Sequence, residues 1–203
     1  MDRKKLYSFG LPVQAKFKSH YTKSNLKKEL KLNPNMKHIL IMGGSMGAGN
    51  ILETTLKLSN TLNNVEFTVV CGHNNELFES LKSKNIGENV NVLSFTNSID
   101  KLMNASDILI TKPGGLTSTE AMVEGLPIIM INPIPGVESA NCNFFNLHNL
   151  ALSSKSVDET ISICKSILSN EKLSKDIISS QKENINPNAA NDIAKFLVSN
   201  FKK

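Results

Sequence analysis

DILITKPGGLTSTEAMVEGLPIIMI, residues 107–131, decides the fold. Residues 107–111 are an apolar run of the length of a buried strand. Lys112-Pro113-Gly114-Gly115 ends it. Residues 117–124 read as a helix, stopped by Gly125 with Pro127 just beyond. Residues 127–131 are a second short apolar run. Strand, glycine-rich turn, helix and strand in direct succession form a βαβ unit, which requires a parallel sheet.

The same grammar extends in both directions. Upstream, 38–42 (HILIM) is a strand followed by the glycine-rich GGSMGAG at 43–49. Residues 50–62 follow as a helix with Ile51, Thr55, Leu58 and Leu62 on one face. A strand at 66–71, a helix at 74–83 that Asn74 caps, a strand at 90–95 and a short helix at 98–104 complete the first half. Downstream, Asn-Pro-Ile-Pro-Gly at 132–136 is a loop, and helices occupy 157–168, 173–182 and 189–201. Residues 1–36 read as a basic connector. It has an extended Gly10-Leu11-Pro12-Val13 and a helix at 23–31, leaving 37–203 as the folded domain. The expected architecture is an α/β, Rossmann-like doubly wound parallel sheet of order 3-2-1-4-5. Ligands bind such a sheet in the crevice between the carboxyl ends of strands one and four.

Both glycine-rich loops fall at that crevice. Gly44, Ser45 and Met46 follow strand one; Gly114, Gly115, Leu116 and Thr117 follow strand four. Each loop opens a helix, whose free N–H groups and positive dipole end favour a diphosphate. Two neighbouring chemistries are disfavoured. Asn50-Ile51 stands where a P-loop needs Lys and Ser or Thr, and strand two ends in Cys71-Gly72-His73 without the acid that holds an NAD ribose. Glu120 has two readings. It is a carboxylate one turn into the helix, able to accept both ribose hydroxyls, or the partner of Thr117 in a Thr-x-x-Glu capping box.

Composition narrows the class. Cys71, Cys142 and Cys164 have neither disulfide-framework nor metal-ligand spacing, and no Asp-x-Asp metal motif is present. MDRKKLYSFG lacks the apolar core of a secretory signal, and no run approaches the roughly 20 apolar residues of a membrane span. The expected location is the cytoplasm, or the cytoplasmic face of a membrane as a peripheral protein. Of the net charge of +5, residues 1–31 hold nine Lys and Arg against only Asp2 and Glu29. Such an arm attracts anionic lipid or is simply solvated. Nucleic acid is not an expected partner, because Arg3 is the only arginine and no basic-aromatic motif appears. Among the histidines, His38 opens a buried strand, His148 sits in a Phe/Leu-rich stretch and reads as core, His73 caps or faces solvent, and His20 lies in the connector. None shows the orienting partner of a general base, so no catalytic residue is assigned.

ILIMGGSMGAG at 39–49 and LSFTNSIDKLMNASDILITKPGGLTSTEAMVEGLPIIMINPIPGVESAN at 93–141 resemble the C-terminal domain of family 28 glycosyltransferases of GT-B fold. That family includes the glycosyl-diacylglycerol synthases and the peptidoglycan lipid II N-acetylglucosaminyltransferase. The PIPG loop looks more like the glycolipid synthases. Val137 stands where they usually carry Gln, and Ala140 where a further polar or small residue is usual, so the sugar is left unassigned.

The resemblance implies a UDP-sugar as donor substrate, with no cofactor and no metal, and a lipid acceptor such as diacylglycerol. It implies that Ser45 meets phosphate, the main chain of Phe95-Thr96 meets uracil, Gly114 to Thr117 hold diphosphate, and Glu120 holds the ribose. Pro135, Gly136, Glu138 and Asn141 would line the donor sugar. It also implies a missing N-terminal acceptor domain, or a separate membrane subunit as in the two-chain transferase of dolichol-linked sugar synthesis. The expected function is the donor-binding half of a hexosyltransferase. A non-catalytic nucleotide-binding module and a nucleotide-sugar epimerase are the alternatives.

Overall fold

β1 (Lys37–Met42) lies inside a six-stranded sheet of order β3-β2-β1-β4-β5-β6. The structure is a computed structural model that describes residues 6–19, 21–43, 50–84 and 86–201. The remaining strands are β2 (Val65–Val70), β3 (Val90–Leu93), β4 (Ile108–Thr111), β5 (Ile128–Met130) and β6 (Leu152–Ser153), and every pairing is parallel. The Rossmann-like order expected from sequence is present, extended by β6. Loop 44–49, with the expected phosphate ligands Gly44, Ser45 and Met46, lies outside the described residues, as does His20.

Strand periodicity builds two cores. Ile39 and Ile41 of β1, with Phe67, Val69, Ile108 and Ile110, face α2 (Ile51–Thr61), α3 (Asn75–Ser83), α7 (Val157–Ser169) and α8 (Glu171–Asn184). Leu40 and Met42, with Leu109, Ile128 and Met130, face α4 (Ile99–Ala105), α5 (Gly115–Glu124) and α6 (Val137–Leu147). Successive side chains point to opposite faces, so a strand covered on both sides must be apolar throughout. Ile39, Leu40 and Ile41 are accordingly all fully buried. His38, at the start of β1, is buried and neutral. Its Nδ1 pairs with Ser106 Oγ at 2.8 Å and its Nε2 with Thr68 Oγ1 at 2.9 Å. Burial, aided by nearby Lys27, pushes its pKa down to about 4.

The N-terminal arm is packed against this frame. Phe17, in a 3-10 turn (Ala15–Lys18), is 3% exposed in the α4–α6 core. Leu26 of α1 (Lys23–Glu29) and Leu32 form a small cluster with Ala105. Asp107 then gathers three lysines: Lys23 at 2.9 Å, Lys37 at 3.6 Å and Lys27 at 3.9 Å. It also accepts the His38 N–H at 2.8 Å. Burial works against the Asp107 charge, yet Lys23, the His38 N–H and Lys37 hold its carboxyl below its ordinary value.

Helix ends follow local chemistry. Asn74 accepts the Leu77 N–H and caps α3. Gly125 ends α5 in the left-handed region at φ 70°, where a side chain is strained. Three readings are corrected. α5 begins at Gly115, two residues earlier than its sequence suggests. Helix α6 and strand β6 were not anticipated: α6 buries only Cys142 and Phe145, a stripe too thin to announce itself, and β6 has two residues. His148 is not core; it is half-buried and packs beside Phe144, itself 49% exposed.

Candidate functional site

The carboxyl ends of β1 and β2 open into a cleft of about 350 Å³. Met42 and Val70 form its floor, and Phe95, Thr96 and Asn97 form one wall. Leu116, Thr117 and Glu120 of α5 form another. Five of the residues expected to bind a nucleotide, Phe95, Thr96, Leu116, Thr117 and Glu120, therefore meet around one space. A more polar recess of about 270 Å³ lies between the starts of α2 and α7 on the other face of the sheet. An apolar floor with a few convergent polar groups distinguishes the first as a binding cleft.

Each wall is set by its backbone. β3 ends at Leu93, which leaves Phe95 and Thr96 on the loop beyond it. Phe95 is 54% exposed and stacks on His73, rings 4.8 Å apart at 16°. Thr96 Oγ1 accepts the Ser98 N–H and turns the loop. At the other wall, Gly114 precedes α5 and has no side chain to cap it, so the first N–H groups of the helix are left for an acceptor from outside. A Cβ on Gly114 would meet nothing within 4 Å, and its φ of −74° suits any residue. Neither backbone nor neighbours demand glycine there. Gly115 differs, because a Cβ would lie 3.3 Å from Leu11 Cδ1.

The start of α5 removes the capping-box reading of Glu120. The cap position is Gly114, so Thr117 and Glu120 are both inside the helix and cannot cap it. Among the described residues the Glu120 carboxylate has no recorded hydrogen-bond or ion-pair partner. Burial raises its pKa above the ordinary value, against the pull of Lys16.

The residues expected around a donor sugar sit beside this cleft, at the start of α6. Gly136, in a loop exposed from Asn132 onward, adopts φ 102° and launches the helix. Asn141 Nδ2 donates to Pro113 O at 2.9 Å. Glu138 accepts from Lys112 Nζ at 3.0 Å through Oε1 and from the Ile134 N–H at 2.8 Å through Oε2. The loops after β4 and β5 are thus tied together. Pro135 is exposed and unengaged by side-chain bonds.

Sequence reasoning missed Lys112, Gln14, Lys16 and Phe17. The last three line the cleft from the arm that was read as a connector. No periodicity marks them; only the placement of Phe17 in the core brings them over β1. Among the described residues no group of three or more His, Cys, Asp or Glu is arranged to hold a metal ion. No described helix is long and apolar enough to cross a membrane.

Known proteins share this arrangement. The chain is 35% identical over 181 residues to the processive diacylglycerol beta-glucosyltransferase of Bacillus subtilis, covering 87% of this chain and 46% of that protein. It is 34% identical over 180 residues to monogalactosyldiacylglycerol synthase 3, chloroplastic, of Arabidopsis thaliana, covering 85% and 39%. The chain therefore spans less than half the length of either relative. The crystal structure of Acinetobacter baumannii MurG superposes with a TM-score of 0.67 at 19% identity, over 90% of this chain and 55% of that one, which shows the fold. Residues 38–202 match the glycosyltransferase family 28 C-terminal domain, and with its cleft at the carboxyl ends of a parallel sheet this chain belongs to that family.

Proposed function

We propose that the chain is the donor-binding half of a UDP-sugar-dependent hexosyltransferase acting on a lipid acceptor such as diacylglycerol. The observation that carries this reading is Glu120. A half-buried carboxylate that has no hydrogen-bond or ion-pair partner among the described residues faces the same cleft as Phe95 and Thr96, about one turn from the uncapped start of α5. A nucleoside diphosphate satisfies all three features at once. Its base lies against the Phe95-Thr96 loop, its ribose hydroxyls donate to Glu120, and its phosphates accept from the helix N–H groups at Gly115 to Thr117. Gly114 leaves room for that approach.

In transfer, charge develops on the departing diphosphate. Fixed backbone donors and the positive end of α5 stabilise it without reorganisation. Lys112, held by Glu138 beside Pro113, adds a cation near the same loop. In this reading the acceptor and its base come from an N-terminal domain or a separate membrane subunit, and the chain works at the cytoplasmic face of a membrane.

Calorimetric titration with UDP, ADP, NAD and UDP-hexoses tests the reading. UDP and at least one UDP-hexose should bind, and NAD should not. Equal affinity for NAD and UDP overturns it.

A further inference from the structure

We propose that Lys16 selects the base of the nucleotide, by donating a hydrogen bond to a ring carbonyl oxygen; the proposal rests on the donor-site reading above. Among the described residues that line the cleft, Lys16 is the one cation and Glu120 the one anion. Its backbone is fixed because the next residue, Phe17, is a buried anchor in the α4–α6 core. Its ammonium reaches Asn97 O at 3.2 Å and Asp100 Oδ1 at 3.7 Å, while the side chain remains 38% exposed. A lysine carries three donors and no acceptor. One donates to Asn97 O and the charge also pairs with Asp100 at longer range, which leaves donor capacity for a ligand.

Position decides which part of the ligand receives it. Asn97 and Asp100 belong to the β3–α4 connection and to α4, the same segment as Phe95 and Thr96. The uncapped helix start at Gly115 is the opposite wall. With phosphates at that start and ribose at Glu120, the base lies on the side of Asn97, within the reach of Lys16. A group that only donates accepts an oxo base and opposes an exocyclic amine. Uracil offers two carbonyl oxygens, whereas adenine has none and sets an amino group beside its ring-nitrogen acceptors. Rejection of a mismatched donor at a partly buried polar site is stronger than rejection by shape alone. The arm before the sheet is then part of the binding site.

Lys16→Met keeps most of the stem and removes the donors; Lys16→Arg restores donors. Binding of UDP, uridine, ADP and inorganic diphosphate is measured by calorimetry and ligand-observed magnetic resonance, with a ligand-free melt to verify folding. Lys16→Met should weaken UDP and uridine by the same factor, about tenfold, and leave ADP and diphosphate unchanged. Lys16→Arg should recover most of the uridine affinity. Loss confined to UDP, ADP and diphosphate would make Lys16 a phosphate ligand and overturn base selection. Unchanged UDP affinity in Lys16→Met would do the same while leaving the donor-site reading intact. Absence of UDP binding to the unaltered chain would remove both.

Discussion

Lys112 and Glu138 meet at 3.0 Å across the crevice rim, joining the loop after β4 to the first turn of α6. Both side chains are largely buried, at 16% and 18% exposure, and the second Glu138 oxygen holds the Ile134 N–H. Glu138 is held below its ordinary pKa, burial being outweighed by Ile134 and Lys112. This bond frame orients the NPIPG loop. Glu138→Gln should cost about 1–3 kcal/mol, because Lys112 loses its charge partner. It should weaken UDP-hexose more than UDP, since the loop and not the nucleotide wall is released. Denaturant melts and parallel titrations check both parts.

Glu120→Gln should not lower the melting point of the free protein, since the residue caps nothing, and at neutral pH should raise it slightly by removing a half-buried charge. UDP affinity should fall by about tenfold or more, the loss of a charged acceptor for two hydroxyls, worth roughly 1.5–3 kcal/mol. The raised Glu120 pKa adds a pH signature. Protonation removes the acceptor, so UDP affinity should decline on acidification at a pH above that of an ordinary carboxylate, and Glu120→Gln should lack this decline. A mutant that melts earlier but binds normally would contradict the assignment.

Glu124 predicts the opposite pH sense for stability. Its Oε2 accepts from Asn104 Nδ2 at 2.6 Å, but its buried Oε1 has no hydrogen-bond partner among the described residues. Burial raises its pKa from 4.5 to about 7. A carboxyl whose folded pKa exceeds its unfolded one contributes most below the unfolded value, and that contribution is lost as pH rises through the folded value. The stability due to Glu124 should therefore fall between about pH 4.5 and about pH 7. Glu124→Gln should flatten this window in urea melts at half-unit pH intervals.

The chain by itself should not turn over UDP-hexose with diacylglycerol in mixed micelles. Holding two substrates at reacting distance supplies several kcal/mol of a barrier. The proposed donor wall leaves Leu116, Ile134 and Val137 at its rim more than half exposed. An acceptor half supplied in trans should restore transfer. Robust multiple turnover by the isolated chain, abolished by Glu120→Ala, would disprove this.

Much of the fold was legible because β1, β2 and β4 are short apolar runs, each followed by a helical pattern, and β5 is a further apolar run. Their order followed from the doubly wound arrangement, which starts near the middle of the sheet. The cleft was legible at Glu120 and Phe95-Thr96, through the resemblance. What escaped was whatever depends on tertiary packing. Phe17 gives no local sign that it enters the α4–α6 core, so Lys16 and Gln14 read as linker. Glu120 and Thr117 have capping-box spacing, yet the helix starts earlier because Gly114 and Gly115 can begin it. Helix α6 hid behind its asparagines, with two buried residues in eleven.

The crowding at Asp107 bears on how the protein responds to ionic strength. Three ammonium groups share one carboxylate, and the charge left over is met at longer range by Glu66 near Lys27 and Glu171 near Lys37. Its attractions act at 2.9–3.9 Å. Repulsions among the lysines act over longer paths that reach solvent through Lys37, which is 59% exposed. Salt screens the longer interactions first, with a Debye length of about 10 Å at ~0.1 M. Modest sodium chloride screens long-range repulsions and attractions together, so it should move the denaturation midpoint less than in a domain held by exposed ion pairs. Lys37→Gln should change that salt response, placing its origin at the foot of β1, the end of the sheet remote from the cleft.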